Sequence, residues 1–339
     1  MWISLNLCLL LLLINSDIIS ARSRVSRKSS RCLKYSKESK RPDFSDLAKR
    51  VNEIKCLEYT WQAKHNIDRD RLKIICDREY GIAGGKSTMI TKFPHMAALG
   101  WMTKDDKWSF LCGGSLISRH FVLTAAHCTK TKSRELKDSH PRIVRMGVTK
   151  IYTESSLYEK PLDKKILKII IHPYYESPKK YYDIALIKIE KVTRFTKYVH
   201  PACLHNTRTM DITKHPLGAT GWGLTNTKKS SPVLQSAVLD IVDWHECKDL
   251  YNRNWEGFAD HQSCAGKLDG SAGTCNGDSG TPLQYRKENQ SDDTNMNVIV
   301  AITSFGRKCD LHLQPLGVYV NINYFIDWIE SQVWPKDEI

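Results

Sequence analysis

The chain has 339 residues, 41% of them hydrophobic and 26% charged, and its formal net charge is +14. Eighteen glycines and twelve prolines without a period exclude a collagen-like or low-complexity chain, and the apolar fraction excludes wholesale disorder. No apolar run reaches the roughly 20 residues that a membrane-spanning helix needs, so no membrane span is expected.

Taken in order, Ile3 to Ile14 is an apolar run of signal-peptide length followed by small residues up to Ala21, so residues 1–21 read as a signal peptide. The expected location is therefore secreted and extracellular. Of eleven cysteines, Cys8 would leave with this segment, and ten would remain to pair as disulfides. Their spacings lack the short paired intervals of a zinc site, so no metal and no cofactor are expected.

Residues 22–81 are basic, with seventeen Lys and Arg against nine Asp and Glu. Arg22 to Arg41 holds too few apolar residues to offset the entropy of ordering and is expected to be flexible. Such an arm can attract a polyanion through a salt-screened field, although its simplest reading is a solvated tail, and nucleic acid is not an expected partner. Phe44, Leu47, Val51 and Ile54 recur at helical spacing, which predicts a short amphipathic helix over 43–54. From Leu57 to Tyr80 the sequence is polar and charged.

Past Tyr80 the texture changes. Met96–Leu99, Phe121–Leu123, Lys168–Ile171, Ile184–Ile187 and Val298–Ile302 are strand-length apolar runs bounded by turn-forming residues, which predicts an all-β fold. Only Tyr324–Glu330, near the end, has helical periodicity.

Ser279 lies between glycines in Cys275-Asn276-Gly277-Asp278-Ser279-Gly280. A serine becomes a nucleophile only with a base to take its proton, an acid to orient that base, and N–H groups for the oxyanion. Upstream, His127 stands in Ala125-Ala126-His127-Cys128, and Asp183 heads the apolar Ile184-Ala185-Leu186, where a carboxylate needs a partner.

These motifs, with Ile82-Ala83-Gly84-Gly85, Gly221-Trp222-Gly223 and Gly317-Val318-Tyr319, stand in the order found in chymotrypsin-fold, trypsin-like serine proteases, and residues 82–339 resemble that family. The resemblance implies two six-stranded antiparallel β-barrels with a C-terminal helix. It also implies catalysis by Ser279, His127 and Asp183, with an oxyanion hole from the N–H groups of Gly277 and Ser279. It implies a zymogen, in which a cut between Gly81 and Ile82 frees an amino group that pairs with Asp278. Gly81 departs from the basic residue such an activation site usually carries. The expected pocket is Gly273, Ser304, Phe305, Gly306 and Gly317; the aspartate of trypsin-like pockets is replaced by Gly273, so cleavage after apolar or small residues is expected. Lys308, at the expected rim, could favour an acidic group.

The same resemblance implies disulfides Cys112–Cys128, Cys247–Cys264 and Cys275–Cys309. For Cys203, which in the family tethers the pro-segment, Cys32, Cys56 and Cys76 compete: the Lys55–Tyr59 stretch favours Cys56 with Cys203 or Cys32 with Cys56, and proximity to the activation site favours Cys76 with Cys203. Lys55–Tyr59 and Phe93–Trp101 resemble the snake/easter-like branch of the arthropod clip-protease group, although the N-terminal region lacks the six cysteines of a full clip domain. Protein substrates, an upstream activating protease and serpin-type inhibitors are the partners implied, and an extracellular cascade in immunity, clotting or development is the setting. Asn289 is a candidate glycosylation site. The competing readings are a non-catalytic protease homologue that binds or regulates, and a polyanion-binding module carried by the basic arm.

Overall fold

The computed structural model describes residues 41–45, 48–77, 89–152, 160–206, 216–223, 231–250, 255–275, 277–287, 296–306 and 316–335. The expected signal peptide, Gly81, Ile82, Asn289, Lys308, Cys32 and Cys309 lie outside these residues, as does the side chain of Cys76.

Six strands close the first barrel: β1 (Met96–Met102), β2 (Trp108–Leu116), β3 (Phe121–Thr124), β4 (Ile143–Met146), β5 (Leu162–Ile171) and β6 (Ala185–Ile189). Their order is β1-β2-β3-β6-β5-β4, and β4 returns to β1. After the two-residue β7 (Cys203–Leu204) come β8 (Leu217–Gly221), β9 (Gln235–Val242), β10 (Gln262–Gly266), β11 (Pro282–Lys287), β12 (Met296–Gly306) and β13 (Gly317–Asn321). The long β12 pairs antiparallel with both β13 and β11, which shuts the second barrel, while β7 joins β12 in parallel. The two six-stranded antiparallel barrels expected from the sequence are therefore present.

Closure turns one face of every strand inward, and the apolar runs supply that face. Leu99, Trp101, Val122, Val144, Met146 and Ile187 fill the first barrel. Leu217, Leu239, Leu283, Tyr285 and Tyr319 fill the second. A third cluster joins β3 and β6 to β12 and β13 through Leu123, Leu186, Ile302 and Val320, and it also takes Phe325 and Ile329. Ile329 belongs to the C-terminal helix (Ile326–Val333), which lies where Tyr324–Glu330 predicted one.

The N-terminal region differs from expectation. Its helix, α1, runs from Val51 to Asp77, 27 residues, instead of spanning 43–54, and Phe44 lies before it. The polar stretch after Leu57, with no structure assigned to it from sequence, is thus helical to Asp77. Residues 44–63 belong to one compact unit with residues 86–339; the described residues of a second unit are 41–43 and 64–77. Within the larger unit, Asn52, Cys56, Tyr59 and Ala63 form one stripe at spacings of four, three and four, the helical period. Ala63 is buried in the first barrel's core, and Tyr59 packs edge-on against Phe195 with ring centroids 5.5 Å apart. Cys56 is disulfide-bonded to Cys203 beside β12. Glu53 Oε2 accepts from the Arg50 N–H at 2.8 Å and so caps the first turn, while Glu330 Oε1 accepts from the Asn52 N–H at 3.1 Å. Arg50 pairs with Asp327 and Glu330 of the C-terminal helix.

Candidate active site

β3 ends at Thr124, and the chain turns through the buried pair Ala125-Ala126 into a single 3₁₀ turn, Ala126–Thr129, that presents His127. Small residues are needed because this turn is packed inside, and a disulfide from Cys128 to Cys112 on β2 fastens it. The histidine remains 30% exposed while Asp183, just before β6, is 1% exposed.

His127 Nδ1 lies 2.8 Å from Asp183 Oδ2, and the His127 backbone N–H donates to Asp183 Oδ1 at 2.8 Å. The Ser304 hydroxyl donates to Oδ2 at 2.5 Å. Burial alone would raise the Asp183 carboxyl; the nearby His127 and these hydrogen bonds outweigh it and hold it below the usual carboxylate range. The carboxylate thus stays ionised, fixes the tautomer that carries the proton on Nδ1, and leaves Nε2 as the base.

The residue that aims Asp183 is Tyr182, with φ +54 in the left-handed region that a bulky side chain rarely adopts. Its ring is sandwiched between His172, 5.3 Å away and nearly parallel, and His261, 4.5 Å away. Its N–H donates to His261 Nε2 at 3.1 Å. Burial lowers both histidines, His261 to about 4, so they stay neutral at pH 7 and His261 can accept that proton. Tyr182, His172 and His261 are the supporting residues that motif reading missed, while Ser304, expected in the pocket, also holds Asp183.

The Ser279 loop is held against the same turn. The Gly113 N–H donates to Ser279 O at 2.9 Å, and Gly280 N–H to Thr303 O at 2.8 Å. Gly280 has φ +78, and a Cβ there would stand 2.2 Å from Thr124 Oγ1, so only glycine fits. Neighbouring N–H groups are occupied: Asp278 donates to Cys275 O and Thr281 to Asp278 O. Among the described residues, those of Gly277 and Ser279 donate to no protein acceptor, which leaves two donors for an oxyanion. In the same set the Ser279 hydroxyl makes no hydrogen bond to His127, whose Nε2 lies 3.7 Å from Cys128 Sγ.

Asp278 points away from the serine. Its oxygens accept from the N–H groups of Gly223 at 2.8 Å and Cys275 at 2.9 Å. A Cβ on Gly221 or Gly223 would meet this carboxylate at 2.2–2.3 Å, which explains both glycines of Gly221-Trp222-Gly223. Burial pushes the Asp278 carboxyl up to about 6, with the two N–H groups opposing.

The expected pocket residues are distributed unevenly. Gly306 and Gly317 face each other across β12 and β13, and a Cβ on Gly317 would meet Thr274 Oγ1 at 3.3 Å. Thr274 is hydrogen-bonded to the Tyr319 hydroxyl at 2.8 Å, Gly273 is half-buried, and Phe305 packs on Trp255. The Ser304 hydroxyl instead faces Asp183. Cys247 pairs with Cys264, and Cys275 is disulfide-bonded. Cys112, His127 and Cys128 cluster as metal ligands would, but both sulfurs are committed to one disulfide and supply no thiolate.

A family model described as Trypsin matches residues 82–329. The chain is 37% identical over 298 residues to Serine protease snk of Drosophila melanogaster, covering 84% of this chain and 65% of that protein. It is 32% identical over 261 residues to CLIP domain-containing serine protease B4 of Anopheles gambiae, covering 75% and 70% respectively. It is 30% identical over 270 residues to Spaetzle-processing enzyme of Drosophila melanogaster, covering 75% and 66%. The chain thus spans about two thirds of the length of these relatives.

Proposed function

Because this chain belongs to the trypsin family of serine proteases, and to its arthropod clip-protease branch, we propose that it is a secreted serine endopeptidase made as a zymogen and acting in an extracellular cascade. The observation that carries the reading is the His127–Asp183 pair, with a buried, ionised carboxylate behind a partly exposed imidazole, and with two N–H groups of the Ser279 loop that donate to no acceptor among the described residues.

In this reading Ser279 Oγ attacks the scissile carbonyl while His127 Nε2 takes its proton. The oxyanion is received by the N–H groups of Gly277 and Ser279. His127, its charge stabilised by Asp183, returns the proton to the leaving amine, and water then repeats the sequence on the acyl-enzyme. A cut before Ile82 supplies an amino group to Asp278, whose buried carboxyl meets no cation among the described residues. Gly81 calls for an activator that cuts after a small residue, and Gly273 favours apolar or small substrate residues before the cut. A relative whose name states that it processes Spaetzle supports the cascade setting.

Protein released with Ile82 as its N-terminus should cleave a peptide library, and Ser279→Ala should lower that activity by roughly 10⁴-fold or more. Unchanged activity would remove the triad assignment. The rival, a non-catalytic homologue, is favoured by Gly81; it prevails if correctly processed wild-type protein hydrolyses nothing in the library.

A further inference from the structure

The first 13 residues of α1 and the first barrel enclose a cavity of about 360 Å³ that the peptidase reading does not use. Its rim is cationic. Lys55 comes from the helix, Arg119 from the turn between β2 and β3, and Lys188 from β6. Arg119 donates to Gln62 Oε1, Val192 O and Thr193 O, all neutral, so its charge is positioned without being neutralised. Lys55 is paired with Glu58. Lys188 stands over the Phe121 ring, 5.8 Å from its centroid. Among the described residues it meets no carboxylate. His120, also on the rim, is lowered by burial and then by Lys191, Lys188 and Arg119, the mark of a positive field.

A second observation lies outside the cavity. Lys168 on β5 is the direct cross-strand partner of Lys188, and both are exposed. Like charges directly opposite destabilise a sheet, so the pair is a liability that an anionic ligand would remove. The floor is aromatic: Trp334 Nε1 donates to the Tyr59 hydroxyl at 3.1 Å, and Phe121 completes it.

Cations above an aromatic floor, continued by a lysine pair along the sheet, suit a rigid ring with an apolar C–H face and anionic substituents at its edge. We propose that this cavity and the Lys168–Lys188 track bind a sulfated polysaccharide, one sugar seated on Tyr59 and Trp334 and its sulfates held by Lys55, Lys188 and Lys168. An acidic peptide offers carboxylates on flexible stems and no comparable rigid face. The site is distinct from the basic arm at 22–41, and it includes the pro-region helix as a wall.

The test is equilibrium binding of a heparin-derived hexasaccharide to the full secreted chain at 0.15 M salt. Inorganic sulfate and polyglutamate serve as competitors. Lys168→Ala with Lys188→Ala should weaken binding roughly 25-fold, on the order of a factor of five for each lysine, without lowering the melting temperature. Deleting residues 22–41 should change it less than about threefold, and the hexasaccharide should protect Lys55 and Lys188 from acetylation. Any of three results overturns the proposal: affinity unaffected by the double substitution, binding lost with the arm alone, or polyglutamate binding as tightly with the same protection. Because binding is read without peptidase activity, failure here is separable from failure of the catalytic reading.

Discussion

Asp278 carries the sharpest electrostatic consequence of the fold. Burial raises its carboxyl from the ordinary 3.8 to about 6, so the folded chain holds that proton more tightly than the unfolded one does. Ionising it in place therefore lowers stability progressively between about pH 4 and pH 6, by on the order of 3 kcal/mol at most, and the loss is complete above that range. Relative to Asp278→Asn, the uncleaved protein should lose melting temperature over that interval; a difference that is flat with pH removes the argument. After a cut before Ile82 the proposed amine partner should reverse the sign, with stability lost as pH falls. Gly273 yields a second prediction at this scale. Gly273→Asp should raise kcat/KM for substrates with Arg or Lys before the cut by roughly tenfold or more, since a buried cation without a counter-charge is unfavourable. Wild-type preference for Arg would contradict the pocket reading. The proposed triad residues could be picked out in sequence because their motifs stand in the order of a known family. The supporting roles of Ser304, His172 and His261 could not, because nothing in their local sequence announces that these residues converge on Asp183 and Tyr182 from distant parts of the chain.

Among the elements, α1 is the one whose role sequence patterning missed. Its inward stripe is Asn52, Cys56, Tyr59 and Ala63, buried or partly buried residues that a search for leucine and isoleucine periodicity passes over, and the more apolar Phe44 and Leu47 drew attention to the wrong end. The stripe works because each residue has its own partner: Asn52 donates to Leu204 O at 3.4 Å, Cys56 is bonded to Cys203, and Tyr59 reaches Trp334. Tyr59→Ala should thus lower stability by about 1–3 kcal/mol in urea unfolding, through lost packing and an unpaired indole N–H. The Cys56–Cys203 bond also predicts that a cut before Ile82 leaves both fragments joined, as one band on a non-reducing gel and two after reduction. Separation without reductant would refute that linkage.

For the whole molecule, the decisive packing is the cluster that joins β3 and β6 to β12 and β13. His127 follows β3, Asp183 precedes β6, and Ser304 lies within β12, so the geometry of the site depends on how the two barrels are held together. Ile302 is fully buried in that cluster. Ile302→Ala should cost about 2–5 kcal/mol in urea unfolding. It should also lower kcat/KM more than Leu239→Ala, a truncation inside the second barrel alone. Equal effects of the two on activity would show that the cluster does not set the site.

By itself the sequence determined an all-β class, through β-branched runs of strand length, while the two barrels and the candidate site residues were what the resemblance of its motifs to a family implied. Tertiary structure alone decided that Cys56 takes Cys203, that Ser304 holds Asp183, and that residues 51–63 of a polar helix become part of the larger unit. Local patterns report which face of an element is apolar. They do not report which distant side chain will meet a given carboxylate, sulfur or ring, because that is fixed only when the closed barrels bring them together.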